Sequence, residues 1–227
     1  MKKFILGLCA VTLVASQGFA ASSREKLAGR LDAASEVIKA IESIPAKSIP
    51  MSIMSSATCV AVVPGMKKAA FVFGGSYGQG VVTCRTSRGW SAPAFIQMAG
   101  GSWGLQIGGQ STDLILIAVN RRGLQDLLKS KFKIGGDAAA SAGPVGRNAA
   151  AATNITLKSE LLTYSRSQGL FAGIDLNGTV VNQNTDDTRT FYGHDIPFQE
   201  ILDGNVSTPP SARRFVGTVA RYFKQSQ

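Results

Sequence analysis

The sequence feature that most constrains the fold is a series of six short apolar runs between residues 59 and 119. The links between these runs are short and rich in Gly, Pro and Ser. A parallel crossover needs a dozen or more residues, so the short links predict antiparallel neighbours in one sheet. Several runs are apolar throughout, which predicts that both faces of the sheet are covered. The runs are Cys59–Val63, Ala69–Phe73, Gly80–Cys84, Ala94–Met98, Trp103–Gly108 and Leu114–Val119.

Glycine is abundant, at 25 of 227 residues, but it recurs with no fixed period. Collagen-like and simple low-complexity structures are therefore excluded. Glycines among strands are typical of turns, bulges and tight bends, so we predict a strongly curved, mostly antiparallel, barrel-like sheet. The Gly74–Gly80 segment lacks the lysine of a phosphate-binding loop and is predicted to be a hairpin turn. Two further strands are predicted over Ile155–Tyr164 and Leu170–Val181.

Amphipathic helices at the beginning, middle and end of the chain complete a predicted α+β fold. The apolar residues of the first helix recur in steps of four and three, and we expect them to pack on the protein rather than insert into a membrane. Asn120 and Thr208 are predicted N-caps of the middle and last helices. Asn182–Arg189 is predicted to be a polar, acidic loop. The predicted helices are Ser22–Ile44, Ser48–Ser56, Asn120–Lys131, Ile196–Leu202 and Thr208–Lys224.

The first twenty residues have the pattern of a secretory signal peptide. Met1–Lys3 is a short basic segment, and Phe4–Val14 is an apolar segment too short to span a bilayer. We therefore predict that residues 1–20 are removed and that residues 21–227 form a single exported domain. We expect this domain in the periplasm, free or peripheral to a membrane. A lipoprotein signal that ends at Cys9 is the alternative.

Cys59 and Cys84 are the two cysteines that remain after the predicted leader. An even pair of cysteines in an oxidising compartment favours a disulfide. The bond would close a loop of about 26 residues and contribute roughly 3 kcal/mol on the chain-entropy view. Two buried free thiols are the alternative.

Catalytic chemistry is sparse in this sequence. His194 is the only histidine, and Asp195 is its direct neighbour in the chain. Adjacent residues seldom supply a catalytic pair, and no G-x-S-x-G elbow is present. No calcium-binding motif or cysteine-rich zinc pattern matches either. We therefore expect a protein that is not an enzyme and that carries no metal or cofactor.

Charge is unevenly distributed along the chain. Lys and Arg outnumber Asp and Glu by 24 to 14, a net charge of +10, and loss of Lys2 and Lys3 with the leader would leave 22 against 14, or +8. The excess predicts an anionic partner, although ordinary solvated faces are the alternative, and export argues against nucleic acid. Gly143–Arg147 has the composition of an anion-binding turn. Basic residues cluster at Arg121, Arg122, Lys129, Lys131 and Lys133, and again at Arg213, Arg214, Arg221 and Lys224.

The region from Ala57 to Leu202 resembles the SYLF domain, a lipid-binding module of bacterial exported proteins and of eukaryotic membrane-trafficking and actin-patch proteins. Seven pieces carry the resemblance, in the same order as in the family. They are Cys59–Gly75 (CVAVVPGMKKAAFVFGG), Gly78–Arg85 (GQGVVTCR), Gly89–Phe95 (GWSAPAF), Gly100–Asn120 (GGSWGLQIGGQSTDLILIAVN), Lys131–Arg147 (KFKIGGDAAASAGPVGR), Tyr164–Gly178 (YSRSQGLFAGIDLNG) and Phe191–Gly193 (FYG).

The resemblance implies binding of phosphoinositides or other anionic lipids and brings no catalytic activity with it. Lys67, Lys68, Arg85, Lys131 and Arg147 occupy the basic positions of its motif. Two alternatives stay open for Arg85 and Arg147, which either contact lipid or pair with Asp113 or Asp137 inside the fold. An actin partner is not expected, because SH3, FYVE and other companion domains are missing from this sequence.

We expect a periplasmic protein that recognises the head groups of anionic phospholipids, or lipid A phosphates, through a basic surface. The alternative is a structural or interaction protein of the cell envelope that binds an acidic polymer or a protein partner. The residues predicted to bind the anion are Lys67, Lys68, Arg121, Arg122, Lys129, Lys131, Lys133 and Arg147.

Overall fold

A computed structural model describes most of the chain from residue 23 onward. The described residues are 23–40, 42–43, 48–70, 73–103, 108–120, 123, 129–137, 140–144, 161–167, 170–172, 176 and 178–224. The fold is α+β, with a strongly curled half-barrel sheet of mostly antiparallel strands and several helices, as predicted. The predicted leader and Arg121, Arg122 and Arg147 lie outside the described residues.

Ten strands are described. They are β1 Cys59–Ala70, β2 Phe73–Thr86, β3 Gly89–Trp90, β4 Ala94–Trp103, β5 Gly108–Ala118, β6 Lys131–Lys133, β7 Ala140–Ala142, β8 Leu161–Ser167, β9 Leu170–Ala172 and β10 Val180–Gln183. They form one sheet in the order β6-β10-β4-β2-β1-β5-β8-β7, with β3 paired to β2 and β9 to β8. Among the pairs of described strands, β7–β8 is parallel and the others are antiparallel.

Helices cover both faces of the sheet. The first helix, α1, spans residues 23–40. The later helices are α2 Met51–Ser56, α3 Thr185–Tyr192, α4 Phe198–Leu202, a 3-10 turn at Pro210–Ala212 and α5 Arg213–Tyr222. We name the two sheet faces after the helices that cover them. On the α1 face, Val60, Val81 and Phe95 pack with α1, α2 and α5. On the α4 face, Val82, Ile96 and Leu116 pack with the buried side of α4.

Several predictions from the sequence are confirmed. Cys59 and Cys84 lie directly opposite each other on β1 and β2 and form a disulfide. The apolar stripe of α1 is buried against the sheet, with the side chains of Leu27, Leu31, Ala34 and Ile38 at most 3% exposed. The Asn120 side chain accepts a hydrogen bond from the N–H of Gly123, as an N-cap does.

The predicted hairpin turn at Gly74–Gly80 is wrong. These residues lie inside β2, and the predicted strand Ala69–Phe73 is divided between the end of β1 and the start of β2. The physical reason is the close approach of β1 to these glycines. A Cβ atom at Gly78 would lie 2.6 Å from Val63 Cγ1, and one at Gly80 would lie 2.4 Å from the Val62 carbonyl oxygen. Glycine serves close approach here rather than chain reversal.

Three local predictions are also wrong. Asn182–Arg189 is not a loop, because Asn184 accepts the N–H of Asp187 and so caps α3, whose acidic first turn suits the positive end of the helix dipole. Lys131 is not helical but begins β6. Thr208 is not an N-cap, because the final helical segment starts at Pro210 after Pro209, with no side-chain cap.

Candidate functional site

A one-residue bulge interrupts β1 at Pro64 and Gly65, which together lie opposite the single residue Asp113 of β5. Gly65 has a φ of +57°, a left-handed conformation that glycine adopts without a side-chain clash. Its N–H donates a 2.9 Å hydrogen bond to Asp113 Oδ1. Arg166 of β8 donates to Asp113 Oδ2 at 2.7 and 3.1 Å. The bulge is therefore tied directly to β5 and, through Asp113, indirectly to β8.

Beyond the bulge, one row of directly opposed residues crosses six strands. Directly opposed residues project from the same face of a sheet, and here it is the α1 face, because Tyr77 lies four positions from Val81 along β2. Val180 is half-buried, and the other members are exposed. We call this set the lysine–tyrosine row. Its members, in order across the sheet, are Lys133, Val180, Ala99, Tyr77, Lys67 and Ser111.

The lysine–tyrosine row combines cations with an exposed aromatic ring. Tyr77 is 49% exposed and is one of two large hydrophobic side chains exposed among the described residues, the other being Met51. Lys67 donates a 3.2 Å hydrogen bond to the hydroxyl of Ser111. Lys67 and Lys133 are four strands apart, or about 19 Å along the sheet at ordinary strand spacing. That span matches a surface contact better than a single small ligand.

The row begins where the cover of α1 ends. One pleat closer to the helix lies a polar row made of Gln79, Gln97, Asn182 and Lys131. Arg30 of α1 donates 2.7 Å to Gln79 Oε1, pairs with Asp187 of α3 at 2.6 Å, and lies over the Phe95 ring. These contacts fix the edge of α1 over the sheet. The face is closed on one side of this edge and open on the other.

On its other side, the row is bordered by glycine. Gly75 and Gly101 are opposed on β2 and β4, one pleat beyond Tyr77 and Ala99 on the same face. A Cβ atom at Gly75 would meet no atom within 4 Å, and one at Gly101 would only reach the Gly74 carbonyl oxygen at 4.0 Å. Two neighbouring positions of the sheet therefore carry no side chain, so a broad partner can approach the backbone closely.

The structure brings together three of the predicted anion-binding residues. Lys67 and Lys133 belong to the row, and Lys131 lies one pleat away on the same face, because it alternates with the buried Phe132. Lys68 lies opposite Ser76 and Gln110, so it projects toward the α4 face. Lys129 is exposed shortly before β6. Lys133, the last residue of the basic cluster, lies in a strand rather than on a helix.

Tyr77 is the residue that the sequence analysis missed. It lies in the glycine-rich segment Gly74–Gly80, for which the sequence predicts a turn, and an exposed aromatic residue in a turn indicates no site. Only the pairing of Tyr77 with Lys67 and Ala99 places it between the lysines. The spacing of Tyr77, four positions from the buried Val81, indicates its face only if β2 is one continuous strand.

Arg85, one of the basic motif residues, has a structural role. Its guanidinium donates to the carbonyl oxygens of Ala57 and Phe223, both at 2.9 Å, and stacks 4.7 Å from the Trp90 ring. Partial burial lowers the pKa of this guanidinium. The carbonyls belong to the C-terminal ends of α2 and α5, where the helix dipole favours a cation. Arg85 thus joins the ends of two helices. This contact differs from both alternatives given by the sequence, lipid binding and pairing with Asp113 or Asp137.

The basic residues of α5 are partly neutralised. Arg214 pairs with Asp32 at 3.0 Å and with Glu36 at 2.6 Å, both on α1. Arg221 lies over its neighbour Tyr222. These exposed pairs position α5 against α1 and leave the C-terminal helix less cationic than its sequence indicates.

His194 is exposed and lines an open cleft of about 700 Å³ together with Glu200 and Arg213. Asp195, its neighbour in the chain, lies 3.7 Å from Arg189 rather than on the imidazole. Among the described residues, no group of His, Cys, Asp or Glu side chains is arranged to hold a metal ion. The described helices also include none with the length and apolarity of a membrane span.

Comparison with known proteins identifies relatives. A family described as "Ysc84: Las17-binding protein actin regulator" matches residues 99–222. "Protein YSC84" of Saccharomyces cerevisiae is 35% identical over 168 residues, 72% of this chain and 36% of its own length. "SH3 domain-containing YSC84-like protein 1" of Mus musculus is 35% identical over 170 residues, 74% of this chain and 50% of its own length.

The chain spans half or less of the length of these two relatives. A third, "LAS seventeen-binding protein 3" of Saccharomyces cerevisiae, is 35% identical over 171 residues, 72% of this chain and 36% of its own length. These names describe binding proteins and regulators. They run against the expectation that an actin-linked partner is absent, since the matched family is described as an actin regulator.

Proposed function

The chain belongs to the Ysc84 family of SYLF-domain proteins, and we propose that it binds the head groups of anionic phospholipids at a membrane surface without catalysing a reaction. The observation that carries this proposal is the lysine–tyrosine row. Its cations and its exposed ring lie together on the open end of the α1 face. In the predicted periplasm the candidate lipids are phosphatidylglycerol, cardiolipin and lipid A phosphates.

The chemistry of the row suits an anionic bilayer. A lysine held near such a surface gains about 1 kcal/mol of attraction, and the row supplies Lys67 and Lys133, with Lys131 close by. A tyrosine is well placed at the head-group level, because its ring is apolar and its hydroxyl is polar. The glycine border carries no side chains that would obstruct the approach of a bilayer surface to the lysines.

Vesicle flotation tests the proposal. The protein is mixed with vesicles of phosphatidylcholine alone, or of phosphatidylcholine with phosphatidylglycerol. We expect binding to the anionic vesicles only, and we expect Lys67→Ala with Lys133→Ala to weaken it by about 2 kcal/mol, or roughly 30-fold.

The matched control is Lys26→Ala with Lys224→Ala. Both of these lysines are exposed, and neither is on the row, yet the net charge falls by the same two units. If the control weakens binding as much as the row variant does, general charge and not the row explains the attraction. Equal binding to neutral and anionic vesicles, or binding to neither, rejects lipid head-group recognition.

A second candidate function is attachment to a protein or acidic polymer, and the description of the matched family as "Las17-binding protein actin regulator" favours it. Pull-down from cell extracts with and without detergent distinguishes the two candidates. A protein partner stays bound when detergent removes lipid, whereas a lipid-mediated association is lost.

A further inference from the structure

We propose that the bulge in β1, held by Asp113, selects which of two consecutive lysines faces the membrane. Asp113 is a positioning residue in this view, since it acts through Lys67. The inference rests on the proposed function, because it concerns the presentation of the row to lipid. It follows from the strand register, the conformation of Gly65 and the contacts of Asp113.

The register shows that β1 contains one extra residue relative to both neighbours. Against β2, Val62 pairs with Val81 and Lys67 with Tyr77, so four residues of β1 lie opposite three of β2. Against β5, Pro64 and Gly65 together lie opposite Asp113. The same single residue is thus in excess on both sides of the strand.

An extra residue reverses the alternation of side chains along the rest of the strand. Val60 and Val62 project toward the α1 face, so a regular strand would place the even-numbered Lys68 on that face. The observed strand places Lys67 there, opposite Tyr77. Without the bulge, Lys67 would point toward the α4 face, and the buried Met66 would be turned outward.

Asp113 is the residue that holds the bulge. A bulge leaves one backbone group of the strand without a ladder partner, and here the Gly65 N–H bonds to Asp113 Oδ1 instead. The two bonds from Arg166 fix the carboxylate in place from the opposite side. The bulge also needs room on β2, which the missing side chains of Gly78 and Gly80 provide.

The sign of the effect of Asp113→Ala separates this inference from simple electrostatics. The substitution removes a negative charge close to the row and frees Arg166, so charge alone predicts tighter binding to anionic vesicles. If Asp113 orients Lys67, binding instead weakens by up to about fivefold, the contribution of one lysine. Combining Asp113→Ala with Lys67→Ala should then cause no further loss.

Two further variants complete the test. Asp113→Asn keeps an oxygen that can accept the Gly65 N–H, and we expect it to bind vesicles nearly as the natural chain does. Deletion of Pro64 removes the extra residue and leaves Lys67 opposite Tyr77 by the register of both neighbours. In that deletion background, Asp113→Ala should no longer weaken binding, because there is no bulge to hold.

Lysine labelling tests the inference independently of lipid. Acetylation with mass spectrometry should modify the exposed Lys67 faster than the half-buried Lys68, and Asp113→Ala should lower this ratio. Circular dichroism confirms that each variant is folded before labelling. An unchanged ratio, or tighter vesicle binding by Asp113→Ala, overturns the inference. A lowered ratio in a protein that binds no vesicles would instead reject the proposed function and leave the role of Asp113 intact.

Discussion

The two ends of the α1 face contain strands of the same sheet but differ in what lies above them. At the closed end, α1, α2 and α5 bury apolar side chains such as Val60 and Phe95, and Arg85 is held by backbone carbonyls. At the open end, Lys67 of β1 and Tyr77 of β2 face solvent. A cationic side chain is thus bound by backbone carbonyls where helices cover the sheet and faces solvent where they do not. The two ends should therefore respond separately to substitution.

The largest separation is expected from Phe215→Ala at the closed end. Phe215 of α5 is fully buried in the core beneath α1. Its truncation should lower the free energy of unfolding by about 3–5 kcal/mol, because it leaves a cavity in a packed core. Urea unfolding measures the loss, and flotation at low temperature measures vesicle binding, which should be unchanged in the folded protein. Loss of binding by the folded variant would show that the ends are coupled.

Arg85→Ala sharpens the comparison, because it removes a cation from the closed end. The lost bonds to Ala57 and Phe223 should lower the free energy of unfolding by about 2–3 kcal/mol, the range for hydrogen bonds that involve a charged group. Arg85→Lys keeps the charge but not the forked geometry, so it should recover only part of the stability. Vesicle binding should match the natural chain in both variants. A binding defect as large as that of Lys67→Ala would return Arg85 to the lipid-binding surface.

Tyr77→Ala makes the converse change at the open end. Burial of about 40 Å² of the ring against lipid would contribute about 1 kcal/mol, so we expect roughly fivefold weaker vesicle binding. The free energy of unfolding should change by no more than about 0.5 kcal/mol, as is usual for an exposed position. Tyr77→Phe keeps the ring and should retain most of the binding. If Tyr77→Ala binds vesicles normally, the row acts through its lysines alone.

The contrast between the two ends also explains how much could be predicted from the sequence. The closed end is made of apolar residues at helix and strand spacing. This spacing predicts α1 and the runs Cys59–Val63, Gly80–Cys84, Ala94–Met98 and Leu114–Val119. The open end depends on long-range strand pairing, because only the pairing of Tyr77 with Lys67 and Ala99 brings its ring between the lysines. Pro64 and Gly65 read as a chain break between two strands, whereas they form a bulge within one strand, because Asp113 supplies the missing partner.

Misplaced elements have a similar cause. Phe132 completes a leucine pattern that indicates a helix, yet it lies in β6, where pairing with Val181 of β10 determines its conformation. Asp186 and Asp187 indicate a solvated loop by composition, but behind the Asn184 cap they stabilise the start of α3. Local composition is a weak guide wherever a tertiary partner or a cap decides the conformation.

The smallest expected effect is a pH dependence that belongs to the closed end. Glu42 is half-buried beyond α1, where it accepts the N–H of Ile49. Burial, and after it the charge of Glu42, raises the pKa of Tyr164. Burial raises the pKa of the Glu42 carboxyl above its unfolded value. Its unfavourable contribution is absent below the unfolded pKa and develops fully as the pH rises through the folded pKa.

Glu42→Gln should therefore raise the free energy of unfolding near neutral pH, by under about 1 kcal/mol, and have little effect below about pH 4. The neutral amide keeps an acceptor for Ile49 without the buried charge.

Glu36→Gln is the control with the opposite sign, because a hydrogen bond from Lys39 lowers the pKa of the Glu36 carboxyl. The contribution of Glu36 is present above the unfolded pKa and is lost as the pH falls through the folded pKa. Urea unfolding at both pH values should separate the two variants. Since neither side chain is on the row, a change in vesicle binding by Glu42→Gln larger than that by Glu36→Gln would mean that the closed end transmits its charge state to the open one.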